Sequence, residues 1–169
     1  MTSEDTQSVT RSSSLALVEI TAKTVRKITA LKVAPSQQRF VANNATSIAE
    51  AYFERGAWFR AIHADDTPVG FVMLFDPSLS GAKPLENGKA SDIWLWRYMI
   101  AEPFQRHGFG RSCLDLIVEH ARSRPGMTDL LASYVPGPGC PRDFYLRYGF
   151  TETGRTCAEG SENEISLPL

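Results

Sequence analysis

The chain has 169 residues, 43% of them apolar and 22% charged, with a net charge of -1. That length suits one domain with a proper core, and the near-zero charge gives no general attraction to nucleic acid or an anionic membrane. No apolar run approaches the ~20 residues that span a bilayer, and three cysteines without close pairing favour reduced thiols in a cytoplasm over a disulfide framework. Met1 to Ser14 is Ser/Thr-rich and acidic at first, without the basic-then-apolar order of a signal peptide. A short disordered tail is therefore expected, followed by a single domain over 15–169.

Leu15 to Ile20 is a short apolar run that suits a first strand. Thr21 suits the cap of a helix running to about Lys32, with Val25, Ile28 and Leu31 at helical spacing, and Ala34-Pro35-Ser36 breaks it. A second helix is expected from Ala45 to Arg55, ended by Gly56. Trp58 to Ala64 and Val69 to Phe75 read as two strands of a hairpin around Asp65-Asp66-Thr67-Pro68, with Gly70 marking a bulge or a close backbone approach. Asp76 to Ala90 carries Pro77, Gly81, Pro84 and Gly88 and reads as a surface loop.

Asp92 to Ile100 is almost continuously apolar and aromatic, which suits a strand buried on both faces. Pro103 stops it, Gln105 to Gly110 form a glycine turn, and from Arg111 a helix presents Leu114, Ile117, Val118 and Ala121 on one face. Leu130 to Val135 is a further strand, Pro136 to Pro141 a turn that no regular element crosses, and Asp143 to Tyr148 a short helix stopped by Gly149. Phe150 to Cys157 and Glu164 to Leu167 close the chain as a strand pair. Strands and helices mix irregularly, with hairpins at both ends, so an α+β or mixed α/β fold is expected rather than a doubly wound one.

Strand, glycine turn and helix in that order place free backbone N–H groups at a helix start, which is a site for phosphate. Arg106 and Arg111 add positive charge, and the glycines allow close backbone approach. The turn is neither a P-loop, lacking Gly-Lys-Ser/Thr, nor the dinucleotide fingerprint, since Cys113 stands where the third glycine belongs. The plain alternative is a tight strand-to-helix turn with solvated arginines.

Met99-Ile100-Ala101-Glu102-Pro103-Phe104-Gln105-Arg106-His107-Gly108-Phe109-Gly110 resembles the acetyl-CoA signature of the GNAT superfamily of N-acetyltransferases. Phe144-Tyr145-Leu146-Arg147-Tyr148-Gly149-Phe150 resembles that superfamily's Tyr-x-x-x-Gly-Phe segment, in the expected order and separation. Leu31 to Phe53 and Trp94 to Ile100 are similar to the bacterial spermine/spermidine N-acetyltransferase branch. The resemblance implies a GNAT-like, mostly antiparallel sheet flanked by helices, and acetyl-CoA as co-substrate. It further implies that backbone groups of Met99 and Ile100 pair with the pantetheine arm. Backbone N–H groups of Gln105, Arg106, His107, Gly108, Phe109, Gly110 and Arg111, with Ser112 nearby, would hold the pyrophosphate. Tyr145 matches the tyrosine that serves as general acid. Where many members carry Asn after Val-Pro-Gly, this chain has Pro138, so one side-chain contact to the cofactor is missing.

The reaction so implied moves an acetyl group to the primary amine of a small molecule, a polyamine first among the guesses. A phenol, whose ordinary pKa is ~10, is protonated at neutral pH and can donate to the departing thiolate. An alkylamine arrives mostly protonated and needs a base, for which the sequence offers Asp92, Glu50 and Glu54 without choosing. Glu50 and Glu54, at i, i+4 on the second helix, read either as a solvated face or as anions facing a polycation. Tyr145 is otherwise a packing aromatic, and Trp94 and Trp96 share one strand face as core or acceptor-pocket walls. Cys140 reads as an inert loop thiol, and His63, His107 and His120 lack metal-ligand spacing, so no metal site is expected. Two further readings stay open: a non-catalytic acyl-CoA-binding sensor, and an acetyltransferase for a protein, peptide or antibiotic amine. A homodimer is a family expectation.

Overall fold

Seven strands build one sheet in the computed structural model, which describes residues 8–86 and 88–169. In chain order they are β1 (Leu15–Val18), β2 (Ala57–Ala64), β3 (Thr67–Phe75), β4 (Asp92–Ile100), β5 (Asp129–Tyr134), β6 (Thr151–Cys157) and β7 (Glu162–Pro168). Their spatial order is β1-β2-β3-β4-β5-β7-β6, antiparallel throughout except for the parallel β4–β5 pair. Helices α1 (Val25–Thr29), α2 (Asn44–Ala51), α3 (Phe109–Ser123) and α4 (Arg142–Tyr148) flank it. The expected mixed, mostly antiparallel sheet is thus the observed one.

Alternation along the strands divides the core into two layers. Val72 and Leu74 of β3 pack with Cys113, Leu114, Ile117, Val118 and Ala121 of α3 and with Tyr145 of α4. Phe71 and Met73 point the other way, onto Ile28 of α1 and Ile48 and Ala51 of α2. In β4 the alternation reverses part-way. Ile93 and Leu95 share the α3 layer with Tyr98 and Ile100, whereas Trp96 and Met99 belong to the α1/α2 layer. The cause is a bulge: Leu74 pairs with Leu95 and Met73 with Arg97, leaving Trp96 without an opposite residue.

Several boundaries differ from the sequence expectation. The first helix is only Val25–Thr29, because Thr24 Oγ1 accepts the Thr21 N–H at 2.9 Å and turns the chain before the helix begins. The second starts under an Asn43 cap, whose side chain accepts the Thr46 N–H, and ends at Ala51. Tyr52, Phe53 and Glu54 then donate to carbonyls three residues back, tightening the chain out of the helix, so Glu54 is not helical. Gly56 is no cap. A Cβ there would sit 2.4 Å from the Phe75 ring, and its carbonyl receives the Asp76 N–H. Gly70 fulfils both expectations, lying beside a register shift and 2.4 Å, by its would-be Cβ, from the Met99 carbonyl oxygen. Of the expected tail, residues 1–7 lie outside the described residues. Ser14 exchanges hydrogen bonds with Asp65, and Arg11 reaches the Arg106 carbonyl at 3.2 Å.

Candidate active site where β4 and β5 part

β4 pairs with β5 only from Asp92 to Leu95, opposite Asp129 to Ala132. Beyond that the strands diverge, leaving one edge of β4 without a partner strand. The Ala101 N–H donates to Val69 and the Met99 carbonyl lies against Gly70, so these odd-numbered residues turn their backbone to β3. Successive residues alternate edges, and Tyr98 and Ile100 therefore turn theirs to the open side. Of the two residues expected to meet a pantetheine arm, only Ile100 presents its backbone there. Tyr98 shares that open edge with it, and Met99 faces β3. The Ile100 carbonyl already accepts the Gln105 Nε2 at 2.8 Å, which leaves its N–H for a ligand.

The glycine turn continues from this edge. Arg106 and Gly108 both adopt left-handed backbone, at φ 65° and 87°. Among the described residues, the N–H groups from Arg106 to Arg111 have no backbone or side-chain acceptor. Two left-handed residues followed by a helix start are the kind of backbone that forms an anion-binding concavity, and this row of donors is free to serve one. Gln105 and Ser112 fall outside the row, since their N–H groups donate to the carbonyls of Glu102 and Gly108. The Gln105 side chain instead braces the turn, donating to both Ile100 and Gln37. Tyr98 braces it from the strand, its hydroxyl donating to the Gly110 carbonyl at 2.6 Å.

Strand edge, turn and α4 enclose one cavity of about 1270 Å³, lined also by the chain from Val33 to Ala42. That exceeds the ~300–1,000 Å³ of a pocket for one small ligand. Tyr145 stands in its wall at 7% exposure, with Phe144 and Phe150 edge-on at 5.3 Å. Burial pushes its phenol well above the ordinary value, so the hydroxyl keeps its proton through the neutral range. Met99, Ile100, Gln105, Arg106, Gly108, Gly110 and Arg111 share that cavity with it, as do Glu54 and Trp94.

The other expected site residues lie elsewhere. His107, Phe109 and Ser112 do not line the main cavity; they border a second hollow of about 280 Å³, and Phe109 is buried in the core. Glu50 pairs with Arg97 at 3.0 Å outside the cavity, its charge already answered. Asp92 is buried at the closed end of β4–β5, accepting the Lys89 N–H, and does not line the cavity. Pro138 keeps a use despite lacking a side-chain donor: its carbonyl accepts Arg39 Nη2 at 2.7 Å, joining two walls of the cavity. Sequence reasoning missed Tyr98, Arg97, Arg39, Ser133 and Glu162, all of which line the cavity. Only Tyr98 had a local signal, its position just before the glycine turn on an aromatic strand.

Among the described residues no group of His, Cys, Asp and Glu has a metal-binding arrangement, and no helix is long and apolar enough to cross a membrane. The family model described as acetyltransferase (GNAT) family matches residues 24–150. No curated protein matches the chain. An acetyltransferase from Thermus thermophilus superposes with a TM-score of 0.67 at 19% identity, over 92% of this chain and 97% of that one. An aminoglycoside acetyltransferase, AAC(6')-Ib, in complex with coenzyme A superposes with a TM-score of 0.73 at 13% identity, over 92% and 95%. The same enzyme with coenzyme A and kanamycin gives 0.72 at 16% identity, over the same shares.

Proposed function

The chain belongs to the acetyltransferase (GNAT) family, and from that premise we propose that it acetylates the primary amine of a small molecule, a polyamine for preference. Acetyl-CoA is its co-substrate and supplies the acetyl group as an activated thioester. The observation that carries the reading is the continuity of three features in one cavity: the open edge of β4, the unpaired N–H row from Arg106 to Arg111, and Tyr145. These residues fit coenzyme A. The N–H row and the guanidinium groups of Arg106 and Arg111 would hold the pyrophosphate, and the Tyr98 and Ile100 edge the pantetheine arm. An N–H on that edge polarises the carbonyl under attack. Tyr145 gives its proton to the departing sulfur.

A polycationic acceptor is supported by Glu54 and Glu162, which line the cavity without an ion-pair partner among the described residues. Trp94 and Trp96 lie in the same lining, though the Trp96 ring already carries the Arg97 guanidinium at 5.4 Å, which leaves Trp94 as the aromatic for an alkylammonium. Glu50, held by Arg97, takes no part. The resemblance to the spermine/spermidine branch points the same way. An aminoglycoside shares this polycationic chemistry, and the fold of AAC(6')-Ib keeps that second reading in view. The unpaired thiols of Cys113, Cys140 and Cys157 suit a reducing cytoplasm.

The deciding experiment follows thiol release from acetyl-CoA over spermidine, spermine, aminoglycosides, amino acids and peptides. Saturable turnover with spermidine and spermine, and weaker turnover elsewhere, is the expected result. Cofactor binding with no turnover on any amine would leave a sensor module in place of an enzyme. Sedimentation at assay concentration tests the homodimer that the family resemblance implies.

A further inference from the structure

An alkylammonium has no lone pair, so the acceptor must lose a proton before it can attack. Glu50 and Asp92 lie outside the cavity, and Asp143 is paired with Arg142 at 3.3 Å. Glu54 also lines the cavity, but one of its oxygens already receives the Gly56 N–H at 3.0 Å. Glu162, the first residue of β7, is placed differently. Its carboxylate accepts the hydroxyl of Ser133, and Ser133 is the first β5 residue past the last pair with β4, Leu95 with Ala132. The carboxylate is thereby fixed beside the point where the two strands part, and Ser133, Glu162 and Tyr145 all line the one cavity.

We propose that Glu162 is the general base that takes the acceptor's proton, oriented by the Ser133 hydroxyl. The inference rests on the acyl-transfer reading of this cavity and is indifferent to which amine enters it. One ammonium proton passes to a Glu162 oxygen, and the lone pair it frees forms the new N–C bond. The C–S bond breaks and the sulfur leaves with the bonding pair, receiving the Tyr145 proton. The attacking nitrogen sheds a second proton, which restores Tyr145 through solvent, and Glu162 releases its own to solvent. The sum is one amide, one thiol and one proton from an ammonium and a thioester.

The charged and titratable neighbours of Glu162 come from the elements around it. Arg155 of β6 is paired with Glu164 of β7, and so is not the counter-ion of Glu162. The Cys157 thiol is pushed up by burial, then by Glu164 and Glu162, and stays neutral in the working range. Glu159 lies in the turn between β6 and β7.

The test compares the full chain with E162Q and S133A, using spermidine and trifluoroethylamine, a weakly basic amine already neutral at pH 7. With spermidine at pH 7, E162Q should lose about 100-fold in kcat/KM, and its rate should rise tenfold per pH unit as free amine accumulates. With trifluoroethylamine the loss should stay within about threefold, because no proton need be removed first. S133A, which keeps the carboxylate, should lose less than E162Q with spermidine and leave the KM for acetyl-CoA unchanged. An E162Q rate within about threefold of wild type for spermidine at pH 7, or equal losses for both amines, overturns the assignment. If trifluoroethylamine proves too poor a substrate, the pH slope decides alone. If wild type ignores spermidine but turns over another amine, the same comparison is made on that amine. Absence of turnover on every amine overturns acyl transfer itself, and the role of Glu162 with it.

Discussion

Removing one oxygen from Tyr145 separates its chemistry from its packing. The ring is held edge-on by Phe144 and Phe150 at 5.3 Å each, and its hydroxyl has no protein partner among the described residues. Tyr145→Phe therefore keeps the aromatic contacts and strands no buried donor or acceptor, so stability should change by no more than about 0.5 kcal/mol. Loss of a positioned general acid costs about 10²–10⁴ in rate, or roughly 2.7–5.4 kcal/mol at ~1.36 kcal/mol per tenfold. Single-turnover thiol release at saturating acetyl-CoA and amine measures it without interference from product release, and a thermal melt checks the fold. The phenol titrates well above its ordinary value because it is buried, so wild type should show no alkaline loss of rate from Tyr145 up to pH 10. A Y145F enzyme retaining more than about a tenth of the wild-type rate, with an unchanged melt, would refute the general-acid role.

Two further outcomes follow from the packing. His120 stacks on Trp58 at 3.9 Å, and its pKa is lowered by burial first and by Arg124 next. The unfolded chain then binds more protons between the lowered folded value and the ordinary ~6.5, so stability is full above pH 6.5 and falls as pH drops below it. His120→Gln should flatten that dependence in melts between pH 5 and 7. Gly70→Ala places a Cβ 2.4 Å from the Met99 carbonyl oxygen, a contact only a backbone shift can relieve. It should destabilise by about 1–3 kcal/mol and weaken acetyl-CoA affinity, read by denaturant titration and calorimetry.

The cofactor half of the site was legible because its parts are consecutive. The strand Asp92–Ile100, the turn and α3 follow one another, and their donors are fixed by backbone geometry that glycine and helix signals announce. A finer point was not legible: the pairing with β3 decides which β4 residues turn their backbone to the open edge, and Tyr98 and Ile100 do so while Met99 faces β3. The acceptor half is assembled from distant segments. Arg39 meets Pro138 across 99 positions, Arg97 meets Glu50 across 47, and Ser133 meets Glu162 across 29. Helical spacing placed Glu50 and Glu54 together, but α2 stops at Ala51 and the pair separates. Side-chain pairing over such spans depends on the finished fold.

The bulge at Trp96 also makes one strand into two independently adjustable halves. At the bulge and just before it, Trp96 and Trp94 line the cavity. Downstream, Tyr98 and Ile100 turn their backbone to the open edge of β4, with side chains packed in the α3 layer. On the acyl-transfer reading proposed above, substitutions at Trp94 and Trp96 should change the choice of amine while acetyl-CoA affinity stays as it was. Deleting Trp96 would join Leu95 to Arg97, whose β3 partners Leu74 and Met73 are already consecutive, so the upstream side chains would keep their faces and the strand would lose only the indole. For directed evolution of this scaffold, Trp94 and Trp96 are therefore positions to randomise, because the pairing of β3 with the rest of β4 does not depend on either side chain.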